Sequence, residues 1–426
     1  MHLDRCTLDP AAPPAAAALR VALLGLGQVG AAFTARAAAA TVAGDRPLTI
    51  AAALVRDPAA RRRPAGVALV TEPNAVFDCR PNVIVEVLGG IEPARTLVLE
   101  ALNRRIPVVT ANKSLLAHCG DELMAAARSA GVPLHCEASV IAGLPFLAPL
   151  ARRRAWASSI TSLTGIVNGT TNYILSRMAA GVTYESALDD ARARGFAEPD
   201  PTHDLHGIDA LEKLVVLVRH LVPASIDPAA VDVDGIAALT ARDLRRARAL
   251  GGTIKPVVHA RWQPDGVEAF ASPAFVPLTD PLARLDGVAN GVVFRDRSGN
   301  TLQFAGPGAG PDITAATILD DVWEAAHGGA PPPHLAVRQR VLSPVSSWLL
   351  TIDARAPLPP SAQLAELLGS YGVWTARTSR GIDEGHDVAT LLTYRCSRAR
   401  IAAALRAVEA ATDCRASALR ALGEES

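Results

Sequence analysis

Ten residues near the N-terminus constrain the fold more than anything else in the chain: Val21-Ala22-Leu23-Leu24-Gly25-Leu26-Gly27-Gln28-Val29-Gly30. An apolar run of this kind reads as a buried strand, and the G-x-G-x-x-G that follows stands where the strand turns into a helix. Gly25 permits the tight turn, Gly27 lets the backbone approach a pyrophosphate, and Gly30 allows the helix to pack closely on the strand. The helix N-terminus favours the anion. Gln28 and Val29, between the last two glycines, join the dinucleotide-binding set. An ordinary glycine-rich turn is the competing reading.

The residues beyond continue the pattern. Strands are expected at Arg20–Gly25, Leu48–Val55, Val83–Val87, Val108–Thr110 and Pro133–Cys136, with helices at Val29–Ala40, Glu92–Asn103 and Gly120–Ser129. Alternation of this kind implies right-handed crossovers and a parallel, doubly wound sheet. An α/β Rossmann-type domain over 19–139 is therefore expected, after an Ala- and Pro-rich leader (1–18) read as disordered. Longer helices mixed with short strands, such as Val292–Arg295 and Thr301–Phe304, give an α+β catalytic and dimerisation region over 140–327. A Pro-rich linker (328–344) follows. The last part, 345–426, has strands at Ser347–Ala354 and Val388–Tyr394 and helices near Ala362–Leu368 and Arg400–Ala411, which suits a small ferredoxin-like domain.

Composition narrows the function. The chain has 426 residues, with 42 basic and 42 acidic side chains, so it lacks the positive field of a nucleic-acid binder or polybasic membrane anchor. Arg20 and three glycines interrupt the apolar N-terminal stretch, and no run reaches the roughly 20 apolar residues that a bilayer requires. Six scattered cysteines with no C-x-x-C pair point to a reducing cytoplasm rather than a disulfide framework. Small-molecule chemistry is the expectation.

Several segments could carry that chemistry. Val108-Val109-Thr110-Ala111-Asn112-Lys113 brings a lone lysine to a strand end, the edge where open α/β sheets bind ligands; Lys113 faces either that site or solvent. After the second strand, an acidic residue would capture the ribose 2′-hydroxyl of NAD, whereas Arg56, together with Arg61–Arg63, would hold the 2′-phosphate of NADP, unless these arginines form a solvated loop. The stretch from Gly195 to Leu214 runs an acidic, Pro-braced loop through Glu198 and Asp204 into a helix bearing Asp209 and Lys213, four residues apart on one face. That pair is either a surface ion pair or a partly buried proton-transfer site. The neighbouring carboxylates favour the site. His203 and His206 lack the spacing of a metalloprotease helix, and Cys136 reads as a buried strand-end thiol rather than a nucleophile.

Taken together these segments resemble the homoserine dehydrogenase family. The resemblance also rests on Glu86-Val87-Leu88-Gly89-Gly90, Glu137-Ala138-Ser139-Val140, Gly165 to Leu175 and Gly306-Pro307-Gly308-Ala309-Gly310, in consistent order from Leu19 to His327. It implies that Lys213 transfers the proton, with Lys113 and Asp209 as catalytic partners. Glu198, Asp204, Gly169 and Thr170 would bind substrate, and Leu88, Gly89, Lys113 and Gly310 would contact NADP or NAD. A monovalent cation, sodium or potassium, would be held by the backbone carbonyls of Glu137, Val140, Ala142 and Leu144. Two departures bear on that loop: Cys136 replaces a common aromatic and Ile141 a glycine. The C-terminal domain resembles the family's ligand-sensing ACT module, but Ala354–Pro360 lacks its Asp-x-Pro-Gly-Val-Leu signature.

The implied substrate pair is L-homoserine and L-aspartate 4-semialdehyde. An ammonium, a carboxylate and a primary alcohol need anions, hydrogen-bond donors and a proton carrier, respectively. Competing readings are a semialdehyde dehydrogenase, which would need an activated cysteine, and a nucleotide-sensing regulator without turnover. A homodimer or homotetramer is expected from the resemblance, and from Val140–Leu150, which looks too apolar to face solvent. Every candidate residue precedes Pro311, so the C-terminal domain is expected to be dispensable for chemistry.

Overall fold

The computed structural model describes residues 18–40, 47–59, 64, 66–221, 224–332 and 337–423. Residues 1–17 of the expected leader, Arg61–Arg63 and part of the Pro-rich linker lie outside them. Near the N-terminus, β1 (Leu19–Leu24), β2 (Leu48–Leu54), β3 (Ala68–Val70), β4 (Val83–Glu86), β5 (Val108–Thr110) and β6 (Leu134–His135) alternate with α1 (Gln28–Ala39), α2 (Pro73–Asp78), α3 (Ala94–Asn103) and α4 (Lys113–Ala130). The strands pair in parallel in the order β3-β2-β1-β4-β5-β6. This is the doubly wound arrangement, whose strand order reverses between β1 and β4.

Both faces of this sheet are covered, which is why its strands are apolar at successive positions. Leu23 and Val85 pack beneath α1, while Ala22 and Ile84 face α3 and α4. α4 begins seven residues earlier than its apolar pattern suggests, because Asn112 caps it by accepting from the Leu115 amide at 3.1 Å. The helix Pro311–Ala326 also returns to this domain. Its Ala315, Ile318, Val322 and Ala325 enter the core beneath α1, so the nucleotide domain is built from two separated stretches of chain. The regular apolar spacing in 311–326 suits a helix against either domain; only the tertiary packing assigns it.

The rest of the chain forms a large, mostly antiparallel sheet. Its centre is a long hairpin, Gly252–Gln263 with Gly266–Pro277, flanked by Ile160–Ile166, Ala289–Asp296 and Thr301–Pro307. Against one face lies the helix Ile208–Leu221, whose Leu214, Val216 and Leu217 are fully buried. Val140, Ile141, Phe146, Leu147 and Leu150 belong to the same core. The apolar run thought too rich for solvent is thus satisfied within the chain, and the argument for a dimer drawn from it falls away.

The C-terminal region has the order strand, helix, strand, strand, helix, strand, with the short Cys396–Ser397 strand inserted: Val345–Ala354, Ser361–Ser370, Thr375–Asp383, His386–Thr393, Arg398–Ala411 and Cys414–Ala421. It is not a separable appendage. Its last strand pairs with the central hairpin, Ala274 with Arg420 and Phe275 with Ala421, and Leu349 and Ala421 share a core with Phe275. Arg246, on the helix Ala241–Ala249, reaches Asp353 at 2.7 Å and Asp383 at 3.0 Å. Dispensability for chemistry therefore cannot be separated from folding: truncation near Gly329 would strip a strand from the catalytic sheet.

Candidate active site

The glycine turn at the end of β1 has three differently crowded positions. Gly25 has a φ of +100°, and a Cβ there would stand 2.8 Å from the Val87 carbonyl oxygen. At Gly30 a Cβ would stand 2.9 Å from the Gly25 carbonyl oxygen, whereas at Gly27 it would meet nothing within 4 Å. Gly25 and Gly30 are thus required by the protein itself. Gly27 leaves open space in front of α1, whose Gln28, Val29 and Gly30 amides open the helix; the first intrahelical bond runs from Ala31 to Gly27, at 2.9 Å. Unpaired amides facing open space suit a pyrophosphate. The neighbouring Leu88 and Gly89 follow β4, and Gly89 has a φ of +77°.

A buried carboxylate organises this edge. Glu86 accepts from the Leu88 amide at 2.8 Å, the Thr110 hydroxyl at 2.6 Å and the Asn112 amide at 3.3 Å. Burial raises its pKa, and these bonds only partly oppose it. Asn112 also donates to the Gly90 carbonyl at 2.7 Å, so the β4 loop and the start of α4 are tied together. Lys113, the first residue of α4, is thereby held beside the dinucleotide turn. The sequence reading named the Glu86 segment but gave that residue no role.

Lys113 meets Asp209 across the domain boundary. Its Nζ lies 3.1 Å from Asp209 Oδ1, while Lys213 Nζ lies 3.0 Å from Oδ2 and donates to the Val167 carbonyl at 2.8 Å. Asp209 is 5% exposed and Lys213 8%, which overturns the surface ion-pair reading. Burial pushes the Asp209 carboxyl up, but Lys213, Lys113 and Asn168 outweigh it and hold the group far below the usual carboxylate range. For Lys113 burial acts downward, and Asp209, with Glu212 and Asp204 behind it, carries the pKa above its ordinary value.

Asn168 completes the cluster. Its amide nitrogen donates to Asp204 Oδ1 and Asp209 Oδ2, both at 2.7 Å, and its oxygen accepts from the Thr171 amide at 2.8 Å, capping the helix Gly169–Ala179. Asp204 is raised by burial and by Asp209. Two carboxylates joined through one amide are thus driven in opposite directions. The Asn-Gly-Thr-Thr pattern announces a helix cap; nothing local announces the two carboxylates it bridges. Glu212, also without a role in the sequence reading, accepts from the Ser114 hydroxyl at 2.8 Å and ties the two helices together one turn below.

The other expected residues are distributed around this centre. Gly169 opens its helix so close to Val288 that a Cβ would lie 3.0 Å from that carbonyl oxygen. The Thr170 hydroxyl donates to the Phe196 carbonyl at 2.7 Å, tethering the acidic loop two residues before exposed Glu198. Gly310, with a φ of +138°, caps the helix Pro311–Ala326. Arg56 is exposed just past β2. His203 and His206 are exposed, and no group of metal-ligating side chains occurs among the described residues. Cys136 is buried, its Sγ 2.8 Å from His220 Nε2, and burial raises its thiol well above the ordinary value. Both its burial and its raised pKa disfavour the thiolate that a nucleophile needs.

In the loop expected to hold a cation, the Glu137 carboxylate accepts from the Phe146, Leu147 and Ala148 amides at 2.6, 2.7 and 2.8 Å. Among the four candidate carbonyls, that of Ala142 accepts from the Thr317 hydroxyl at 2.5 Å. The loop is therefore braced by its own hydrogen bonds, with neutral oxygens as the donor set.

Comparison with known proteins bears on the same two domains. Residues 25–137 match the family model described as homoserine dehydrogenase, NAD binding domain, and residues 145–323 match that of homoserine dehydrogenase itself. The chain is 36% identical over 360 residues to a homoserine dehydrogenase of Pseudomonas aeruginosa, covering 79% of this chain and 82% of the relative. Against one from Mycobacterium tuberculosis it is 42% identical over 251 residues, but that match spans only 57% of the relative's length. In structure it is similar to a homoserine dehydrogenase from Thiobacillus denitrificans, with a TM-score of 0.83 at 30% identity over 95% of this chain and 98% of the other. The S. aureus enzyme gives 0.78 at 26% identity over 96% and 99%. A Rossmann domain joined through Lys113 to buried Asp209 and Lys213, matched by both family models in order and 36% identical to a relative covered over 82% of its length, shows that the chain belongs to the homoserine dehydrogenase family.

Proposed function

We propose that this protein interconverts L-homoserine and L-aspartate 4-semialdehyde with a nicotinamide dinucleotide. The observation that carries the reading is the Lys113–Asp209–Lys213 cluster at the carboxyl edge of the parallel sheet. When bound, the nicotinamide accepts or returns the hydride. The chain's own groups do the rest. Glu198 and Asp204 take the substrate ammonium, and the Gly169 and Thr170 amides at a helix N-terminus take its carboxylate. Lys213 takes the hydroxyl proton as the alcohol becomes an aldehyde and returns it in reduction, while Asp209 fixes both lysines and Lys113 keeps the carboxylate paired.

The open space before Gly27 and the free amides of Gln28, Val29 and Gly30, flanked by Leu88, Gly89 and Gly310, fit the dinucleotide. Arg56 favours NADP, because only that cofactor presents a 2′-phosphate to a guanidinium. The carbonyls of Glu137, Val140, Ala142 and Leu144 suit sodium or potassium as hard, neutral oxygen donors. Scattered cysteines with no C-x-x-C pair support a reducing cytoplasm. A homodimer or homotetramer remains the reading from resemblance. The test is the purified chain with homoserine and either oxidised nicotinamide: homoserine-dependent appearance of reduced cofactor is expected. Its failure with both cofactors would defeat the proposal.

A further inference from the structure

Asp204 sits on the one-turn helix Thr202–Leu205, which follows Pro201 and ends before Gly207. So short a helix does not hold its place by its own hydrogen bonds. Its outer side is solvent, where Thr202, His203 and His206 are exposed. On the inner side Asn168 ties the Asp204 carboxylate at 2.7 Å, and the segment Asp232 to Ile236 braces the backbone behind it. The Ile236 amide donates to the Leu205 carbonyl at 2.9 Å. Gly235 lies so close that a Cβ there would collide with that carbonyl oxygen and with the His206 backbone. At Gly207, where φ is +80°, a Cβ would stand 3.1 Å from Val233 Cγ1 and 3.2 Å from the Asp234 carbonyl oxygen. A displacement of the brace is therefore felt at Asp204.

The brace is itself held from two sides. Asp232 and Val233 run in parallel register with Phe270 and Ala271 of the long hairpin, and the Asp234 amide donates to the Ala271 carbonyl at 2.9 Å. From the C-terminal region Arg398 forks onto Asp234, Nη1 donating to Oδ2 at 3.1 Å and Nη2 to Oδ1 at 2.8 Å. Arg398 is the first residue of the helix Arg398–Ala411, whose N-cap Ser397 accepts from the Arg400 amide at 3.4 Å. Cys396 and Ser397 pair with Ser346 and Val345, so the guanidinium projects from a fixed point of backbone. Asp232 is taken by Arg420 at 2.5 Å and lies 3.8 Å from Arg398. Asp234 is thus the main partner of Arg398.

We propose that Arg398 and Asp234 are positioning residues for substrate binding: through their two-point contact the C-terminal region sets where the Leu205–Gly207 backbone places Asp204. The inference rests on the reading of Asp204 as a partner of the homoserine ammonium. A guanidinium fork on a carboxylate fixes direction as well as distance, which a single ammonium contact does not. Neither residue belongs to the Lys113, Asp209 and Lys213 cluster, so the effect falls on homoserine affinity rather than on the transfer of hydride and proton.

Amide hydrogen exchange of the full chain reads the brace without requiring turnover, and steady-state kinetics read its consequence. The variants are Arg398→Gln, Arg398→Lys and the charge-reversed Arg398→Asp/Asp234→Arg, with near-UV circular dichroism reporting the fold of each. In Arg398→Gln, exchange in peptides spanning Thr202–Gly207 should quicken roughly two- to fivefold, the span set by a partly exposed ion pair, while the Gly25–Gly30 turn keeps wild-type rates. The homoserine KM should rise by a similar factor, with kcat and the cofactor KM within about twofold. Arg398→Lys should fall between wild type and Arg398→Gln, and the reversed pair should return toward wild type; if that pair does not fold, Arg398→Lys alone supplies the rescue. Wild-type exchange at Thr202–Gly207 in Arg398→Gln overturns the proposal, as does faster exchange with an unchanged homoserine KM. Should the wild type turn over no homoserine, the proposed activity falls, and exchange alone decides the brace.

Discussion

The dinucleotide turn and the lysine–aspartate–lysine cluster sit side by side, yet they are made in opposite ways. The turn is backbone: six consecutive residues, two glycines crowded by carbonyl oxygens and one facing open space. The cluster is side chain, drawn from the start of α4, the N-cap of the helix Gly169–Ala179 and the first turns of Ile208–Leu221. A local device tolerates variation around it as long as its glycines stay. The assembled one depends on two domains meeting in register, through Ser114 to Glu212 and through Arg219, which donates to Asp121 at 2.8 Å and to the Leu116 carbonyl at 2.5 Å.

The largest expected effect breaks the two apart by function. Lys213→Ala should lower turnover by roughly 10²–10⁴, the usual cost of a missing proton carrier, while dinucleotide affinity measured by calorimetry stays within about twofold of wild type, because the turn is untouched. Near-normal turnover would move the proton-carrying role to Lys113.

Next comes the electrostatic core of the cluster. Asp209→Asn leaves two ammonium groups facing each other at a buried site, and breaking a buried pair costs about 3–5 kcal/mol. The pH dependence has a definite sign. A carboxyl held far below its ordinary value of 3.8 contributes stability that is complete above that value and is lost as pH falls below it. Urea denaturation at about pH 5 and pH 3 should therefore show a steeper acid loss for wild type than for Asp209→Asn. Parallel loss in both would place the acid sensitivity elsewhere.

Within the turn, Gly25→Ala and Gly27→Ala should behave differently. The first forces a Cβ against Val87 at a left-handed φ and should cost roughly 1–3 kcal/mol of stability as well as cofactor affinity. At Gly27 a Cβ meets nothing, so thermal stability should hold within about 0.5 kcal/mol, with cofactor affinity alone falling, by about tenfold. Equal destabilisation by both would mean that the open space is closed in solution. The smallest effect is expected at Arg56, where Arg56→Ala should weaken NADP by about tenfold relative to NAD, the worth of one charge-assisted contact. Equal loss for both cofactors would remove the basis for NADP preference.

How much of this was legible follows the same division. The parallel domain could be read because each of its signals is local: apolar runs at β1, β4 and β5, a glycine turn, and helices of the right spacing between them. Strand ends came within a residue or two. The short β3 and α2 were missed, since three apolar residues and one helical turn carry too little pattern. The long hairpin Gly252–Gln263 with Gly266–Pro277 was missed as well; with both faces covered it lacks the alternation that marks a half-exposed strand. Lys113, Asp204, Asp209 and Lys213 could be named as candidates from residue type, loop context and resemblance.

The amino-acid sequence alone determined the order of strands and helices in the nucleotide domain and the glycine turn, because hydrophobic period and backbone sterics act over a few neighbouring residues. Tertiary structure decided the rest. Only packing returned the helix Pro311–Ala326 to the first domain, buried Val140, Ile141, Phe146, Leu147 and Leu150 within the chain, and joined the last strand to the catalytic sheet. Only packing, too, brought Lys113 to Asp209 and set Asn168 between two carboxylates. Coulomb and desolvation energies depend on distance and burial, and neither is a property of residues that lie far apart along the chain until the fold brings them together.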